Sequence, residues 1–162
     1  MAKEKLENFF GDVNIPPHHF RGLNGVYTEN LNKHLAGKKG LFEVNDGWYE
    51  ILGQEMTLDT SETDTQEKRH SKVHELGHHV WYSFIPLKLK LRWKMKCLQF
   101  RLYGVREAFA DQYASMFGFQ KEYVPENKQF DDLMQDIFLF LEKSKSRQPN
   151  SKLHRLLSYF LF

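Results

Sequence analysis

Val73-His74-Glu75-Leu76-Gly77-His78-His79-Val80 contains the pattern His-Glu-x-x-His. On an α-helix, His74 and His78 lie one turn apart and project from the same face. Two imidazoles so placed can share one zinc ion, and Glu75, about a quarter-turn round the helix, can reach a water on that ion. The chain has 8 His in 162 residues. A pattern this short arises by chance in roughly a few per cent of chains of such composition, so it needs support from elsewhere in the sequence.

The flanks supply part of that support. Residues 59–65 are a run of good helix N-caps, and Pro86 is a stop. A helix is expected over 65–84, with Val73, Leu76, Gly77, Val80, Trp81 and Phe84 on its apolar stripe. Gly77 costs such a helix roughly 1 kcal/mol against Ala, which implies close approach of another element. Catalytic zinc takes three protein ligands and keeps one position for water. The third is sought in Arg106-Glu107-Ala108-Phe109-Ala110-Asp111, inside a helix expected over 105–117. Glu107 is the candidate ligand. Asp111, one turn on, is placed to accept a hydrogen bond from the far nitrogen of a ligand histidine and so fix its tautomer. Taken without the His-Glu-x-x-His stretch, the two acids also suit a solvated helix face.

The pair of motifs, His74-Glu75-Leu76-Gly77-His78 followed by Glu107 and Asp111, resembles the zincin metallopeptidases of the gluzincin type, whose third ligand is a Glu on a later helix. The Glu-x-x-x-Asp spacing matches the thermolysin-like enzymes. The longer pattern Glu-x-x-Ala-Asp-x-Tyr-Ala, Glu107 to Ala114, is similar to that of the prenyl-protein endopeptidases, of the ImmA/IrrE-type peptidases and of small phage-encoded peptidases. The likeness covers about residues 48–118. The membrane spans of the first group, and the DNA-binding or receptor domain that would give an ImmA/IrrE-type regulatory role, have no counterpart in the pattern. The resemblance implies one α+β, zincin-like domain over 1–162: a small antiparallel sheet, then a mainly helical part carrying the active-site helix and a second ligand helix. It implies one Zn2+ per chain on His74, His78 and Glu107, with Glu75 activating water for hydrolysis of a peptide or protein substrate. Tyr103, one turn before Glu107, is the first choice for stabilising the oxyanion; Tyr82, Tyr113, His79 and His154 are the others. His70 and His79 are taken as bystanders to the metal.

The rest of the chain is less decisive. Residues 41–58 alternate as strands, with Asn45-Asp46-Gly47 as a hairpin turn. The last strand, Glu55-Met56-Thr57-Leu58, is either an open edge on which a peptide adds as a strand or a covered structural strand. Residues 1–40 are weakly patterned. Asn24-Gly25 reads as a tight turn and 29–35 as a short helix. His18 and His19, after Pro16-Pro17, read as an exposed loop pair, with an accessory metal site as the sharper alternative. Residues 87–102 fit both periods, but their length favours a helix with Leu87, Leu91, Met95, Leu98 and Leu102 on one stripe. They hold six basic residues and no acid, leaving 17 basic against 21 acidic elsewhere. This stretch is either a solvated basic face or a surface for acidic peptide, nucleic acid or anionic lipid. Helices are expected over 131–143, with Leu133, Ile137, Phe138 and Leu141 inward, and over 151–162. The latter is expected to dock through Leu153, Leu156, Leu157, Phe160 and Leu161 rather than anchor to a membrane or partner.

Composition sets outer bounds. Hydrophobic residues are 41%, with 14 Phe, as in a folded domain. A net charge of +2 implies no nucleic-acid partner. Cys97 is the only cysteine, which excludes an intrachain disulfide or a Cys-based zinc site and fits a reducing compartment. No signal peptide or membrane span is read, so a cytoplasmic location is expected; a phage product released by lysis would carry the same signature. Two other readings stay open: a non-catalytic zinc-binding regulatory or structural protein, and a basic-surface binding protein acting through residues 88–101. The oligomeric state is not legible.

Overall fold

The computed structural model describes residues 2–4, 9–29, 47–50, 54–59, 65–121 and 123–162. In chain order these form β1 (Ala2–Glu4), a 3-10 turn (Pro17–Phe20), β2 (Gly25–Glu29), β3 (Gly47–Glu50) and β4 (Glu55–Asp59). Five helices follow: α1 (Thr65–Ser83), α2 (Leu87–Gln99), α3 (Val105–Ser115), α4 (Lys128–Lys143) and α5 (Lys152–Leu161). Helix therefore dominates the described chain.

The strands form one sheet in the order β1-β2-β4-β3. It is mixed, not antiparallel as expected: β2 and β4 run parallel, and the outer pairs are antiparallel. The cause is long-range. Val26 of β2 pairs with Met56 of β4, and both side chains are fully buried. This pairing closes the edge that the sequence left open on β4; among the described residues, β1 and β3 are the edges. Glu29 ends β2 and does not begin a helix, and Gly25 opens the same strand. Asn24 donates its backbone N–H to the Gln54 carbonyl at 2.8 Å. The strand expected at 41–44, the turn before Gly47 and the rest of the 29–35 helix lie outside the described residues.

Helix α1 ends one residue before the expected stop, and all of its predicted apolar stripe is buried. Pro86 then serves as the residue before α2. α1 packs chiefly on α3, with Trp81 and Phe109 ring centroids 4.8 Å apart. Trp93 of α2 closes on Phe109 at 5.4 Å and donates its indole N–H to the Val105 carbonyl at 3.0 Å. Gly77 lies where α1 and α3 cross. A Cβ built there would sit 2.8 Å from Ala110 Cα and 3.2 Å from Tyr113 Cδ1, so the close approach inferred from the sequence is that of α3. α4 starts three residues earlier than expected because the Asn127 side chain caps it, accepting from the Gln129 N–H at 2.8 Å.

Helices α2 and α5 face the opposite way from their apolar stripes. In α2, Leu87, Leu91, Met95 and Leu98 are exposed, while Lys90, Trp93 and Cys97 are buried. In α5, Leu153, Leu156, Leu157, Phe160 and Leu161 are exposed, Phe160 by 79%, and the buried residues are Arg155 and Ser158. Docking of α5 is thus largely polar, with Phe162 against Trp81 at 5.9 Å between ring centroids. Lys90 Nζ donates to Ser158 Oγ at 2.7 Å, Lys94 Nζ to the Leu161 carbonyl at 2.7 Å, and Arg155 to the Asn150 carbonyl at 2.6 Å. Among the described residues, no helix is long and apolar enough to cross a membrane.

Candidate metal centre

Helical spacing brings His74 and His78 together on α1, with ring centroids 5.0 Å apart. The α1–α3 crossing then delivers Glu107 from the first turn of α3. Its Oε2 lies 3.1 Å from His74 Nε2 and 3.4 Å from His78 Nε2. One ligand atom from each of the three residues lies within 4.8 Å of the others. A tetrahedral ion with zinc–ligand bonds of about 2.0–2.1 Å separates its ligand atoms by about 3.3–3.4 Å. The two separations to Glu107 are close to that edge, and the histidine pair falls within the 4.8 Å limit. The two nitrogens and one carboxylate oxygen therefore fit zinc in type, number and spacing.

The electrostatics agree. Burial would raise the Glu107 carboxyl, but hydrogen bonds and charge from His74 and His78 outweigh it and hold the group well below the usual carboxylate range. The imidazoles are nearly buried and the Glu107 side chain is about half exposed, 51%, so the site opens to solvent on the α3 side. Glu75 is buried on α1 between the two histidines in sequence. On the other side, the His70 ring stands 5.9 Å from His74 and 5.8 Å from Phe119. Phe119 and Arg69 line an open depression of about 390 Å³.

The remaining candidates have different surroundings. Asp111 is fully buried, and its Oδ2 accepts from the N–H groups of Tyr123 and Val124 at 3.0 and 2.9 Å. It thereby ties the segment after α3 to that helix, a task the sequence did not reveal. Tyr103 is 84% exposed, just before α3. His79 is fully buried; it lies 3.1 Å from the Arg21 carbonyl and 3.3 Å from the Ser83 hydroxyl, and burial pushes its pKa down to about 4. Tyr113 is buried against His19, and His154 sits on α5.

Tyr82 is the tyrosine beside the site. It lies one turn beyond His78, and its hydroxyl accepts from Arg106 at 2.7 Å. Arg106 also stacks on Tyr159 of α5, 4.8 Å from the ring centroid. Burial opposes the charge on Arg106, but Tyr82, Tyr159 and Glu107 together favour it. Arg106 is absent from the sequence candidates. The available signal was its place directly before Glu107.

No protein-family model, curated protein or solved structure matches this chain.

Proposed function

We propose that the chain is a zinc-dependent peptidase of the gluzincin type, built on a zincin-like sheet and helix pair. The observation that carries this reading is the convergence of His74 Nε2, His78 Nε2 and Glu107 Oε2 at the spacing of a tetrahedral site. Zinc held there would supply a water of pKa roughly 7 and polarise the scissile carbonyl. Glu75 takes the proton from the attacking water and passes it to the leaving amine. Arg106, next to Glu107 in sequence and bonded to Tyr82, carries a fixed positive charge suited to a developing oxyanion and joins the exposed Tyr103 as a candidate for that role. A peptide would add to β3, which among the described residues is paired on one side only.

The basic stretch supports the enzyme reading over a charged-surface one. Arg92 pairs with Asp136 at 3.1 Å, Lys94 is spent on α5, Lys96 reaches Gln129, and Lys90 is buried. Four of its six basic residues are thus engaged within the chain, while Lys88 and Arg101 are exposed.

The test compares wild type with Glu75→Gln against a pool of fluorogenic peptides, with zinc content measured on both. Full zinc with cleavage reduced roughly 10²–10⁴-fold is expected. Undiminished cleavage by the variant would refute the mechanism. Zinc binding by a wild type that cuts no member of the pool would favour the non-catalytic reading.

A further inference from the structure

The histidine pair at 18–19 is not the exposed loop pair its sequence suggests. Pro17 opens the 3-10 turn, and the turn directs both rings inward, perpendicular to each other with centroids 4.5 Å apart. His19 is fully buried. Its Nδ1 lies 2.7 Å from the Tyr113 hydroxyl, and its Nε2 is buried with no hydrogen-bond partner. His18 Nε2 lies 3.3 Å from Glu142 Oε1 at the C-terminal end of α4, and it too is buried without an aligned hydrogen bond. Leaving a buried nitrogen unsatisfied costs about 1–3 kcal/mol. Here the His18 nitrogen stands beside the Glu142 carboxylate, and one ligand atom from each of His18, His19 and Glu142 falls within 4.8 Å of the others.

We propose that His18, His19 and Glu142 form a second, accessory site for a divalent metal ion of the zinc class, which clips the Pro17–Phe20 turn to the end of α4. Two imidazoles and one carboxylate match the ion's preferred donors and leave a position for water. The 3.3 Å separation of His18 Nε2 and Glu142 Oε1 is again close to a tetrahedral edge. Tyr113 plays the part usual for a partner of a metal-bound histidine, fixing the ring through its far nitrogen.

The experiment uses the full chain with the first site removed by His74→Ala and His78→Ala together. After equilibration with zinc and gel filtration, elemental analysis is expected to find one zinc per chain. Cobalt loading is expected to give visible absorption of a low-coordinate site. Adding Glu142→Gln, whose side chain is half exposed and whose loss spares the core, is expected to weaken zinc binding by tenfold or more. It should also abolish the rise in melting temperature that zinc causes in the double variant. A double variant that melts cooperatively but retains no zinc overturns the proposal. Unchanged zinc affinity after Glu142→Gln also overturns it. Because the first site is absent from these proteins, neither result bears on the peptidase reading.

Discussion

Replacing Gly77 by Ala sets two physical effects against each other. Helix propensity alone favours Ala by about 1 kcal/mol. The structure opposes it. The new Cβ would meet Ala110 Cα at 2.8 Å, whereas carbon atoms rest at about 3.5–4.0 Å. The obstacle is backbone, so relief requires α1 and α3 to part by about 1 Å. Overpacking of this kind costs about 1–3 kcal/mol, leaving a net loss of about 0–2 kcal/mol after the propensity gain. The effect on zinc should be larger. His74 and His78 ride on α1 and Glu107 on α3, and a metal bond tolerates only about 0.2 Å. Urea unfolding of the metal-free protein would read the stability. Competition with a chromophoric chelator would read zinc affinity, which should fall at least tenfold. Gly104→Ala is the control, because its Cβ would meet Glu107 Cβ at an ordinary 3.5 Å. A Gly77→Ala protein more stable than wild type, with zinc affinity within twofold, would refute this account of the helix crossing.

Two other substitutions test the fold. Burial pushes the Lys90 ammonium from its ordinary 10.5 down to about 7. The unfolded chain then holds more protons between those values, so wild-type stability rises from pH 7 towards pH 10.5 and carries the full penalty below 7. That penalty is at most about 5 kcal/mol. Ser158 keeps its bond to the His154 carbonyl at 2.9 Å without Lys90. Lys90→Met is therefore expected to stabilise by about 1–3 kcal/mol at pH 6, after loss of the charged hydrogen bond, and by less at pH 10. Destabilisation at pH 6 in thermal melts would contradict it. Asp111→Ala strands two backbone N–H groups and should cost about 2–4 kcal/mol in urea unfolding; a loss below about 1 kcal/mol would show the contact to be incidental.

The candidate metal centre was readable because each half is local. Four-residue spacing on one helix sets His74 beside His78, and the end of α1 follows from Pro86. Glu107 needed only a second helix to cross the first, and Gly77 announced the crossing. What the sequence hid depends on distant partners. Leu87, Leu91, Met95 and Leu98 form a good apolar stripe, yet Trp93 and Cys97 on the other face fill the space beside Phe109 and Phe130, and one helix cannot bury both. The pairing of β2 with β4, and the burial of His19 under Tyr113, likewise join residues far apart in the chain. No local pattern encodes them.

The polar docking of α5 bears on how the molecule comes apart. Its leucines and Phe160 already stand in water, so releasing the helix breaks the hydrogen bonds to Ser158 and Leu161 and parts Phe162 from Trp81 and Tyr159 from Arg106, without unpacking the leucine face. Such an opening carries a small heat-capacity change and a weak response to denaturant. The amides of α5 are thus expected to exchange with solvent by a local detachment that responds to urea less steeply than the unfolding of the core, for which those of α1 and α3 wait.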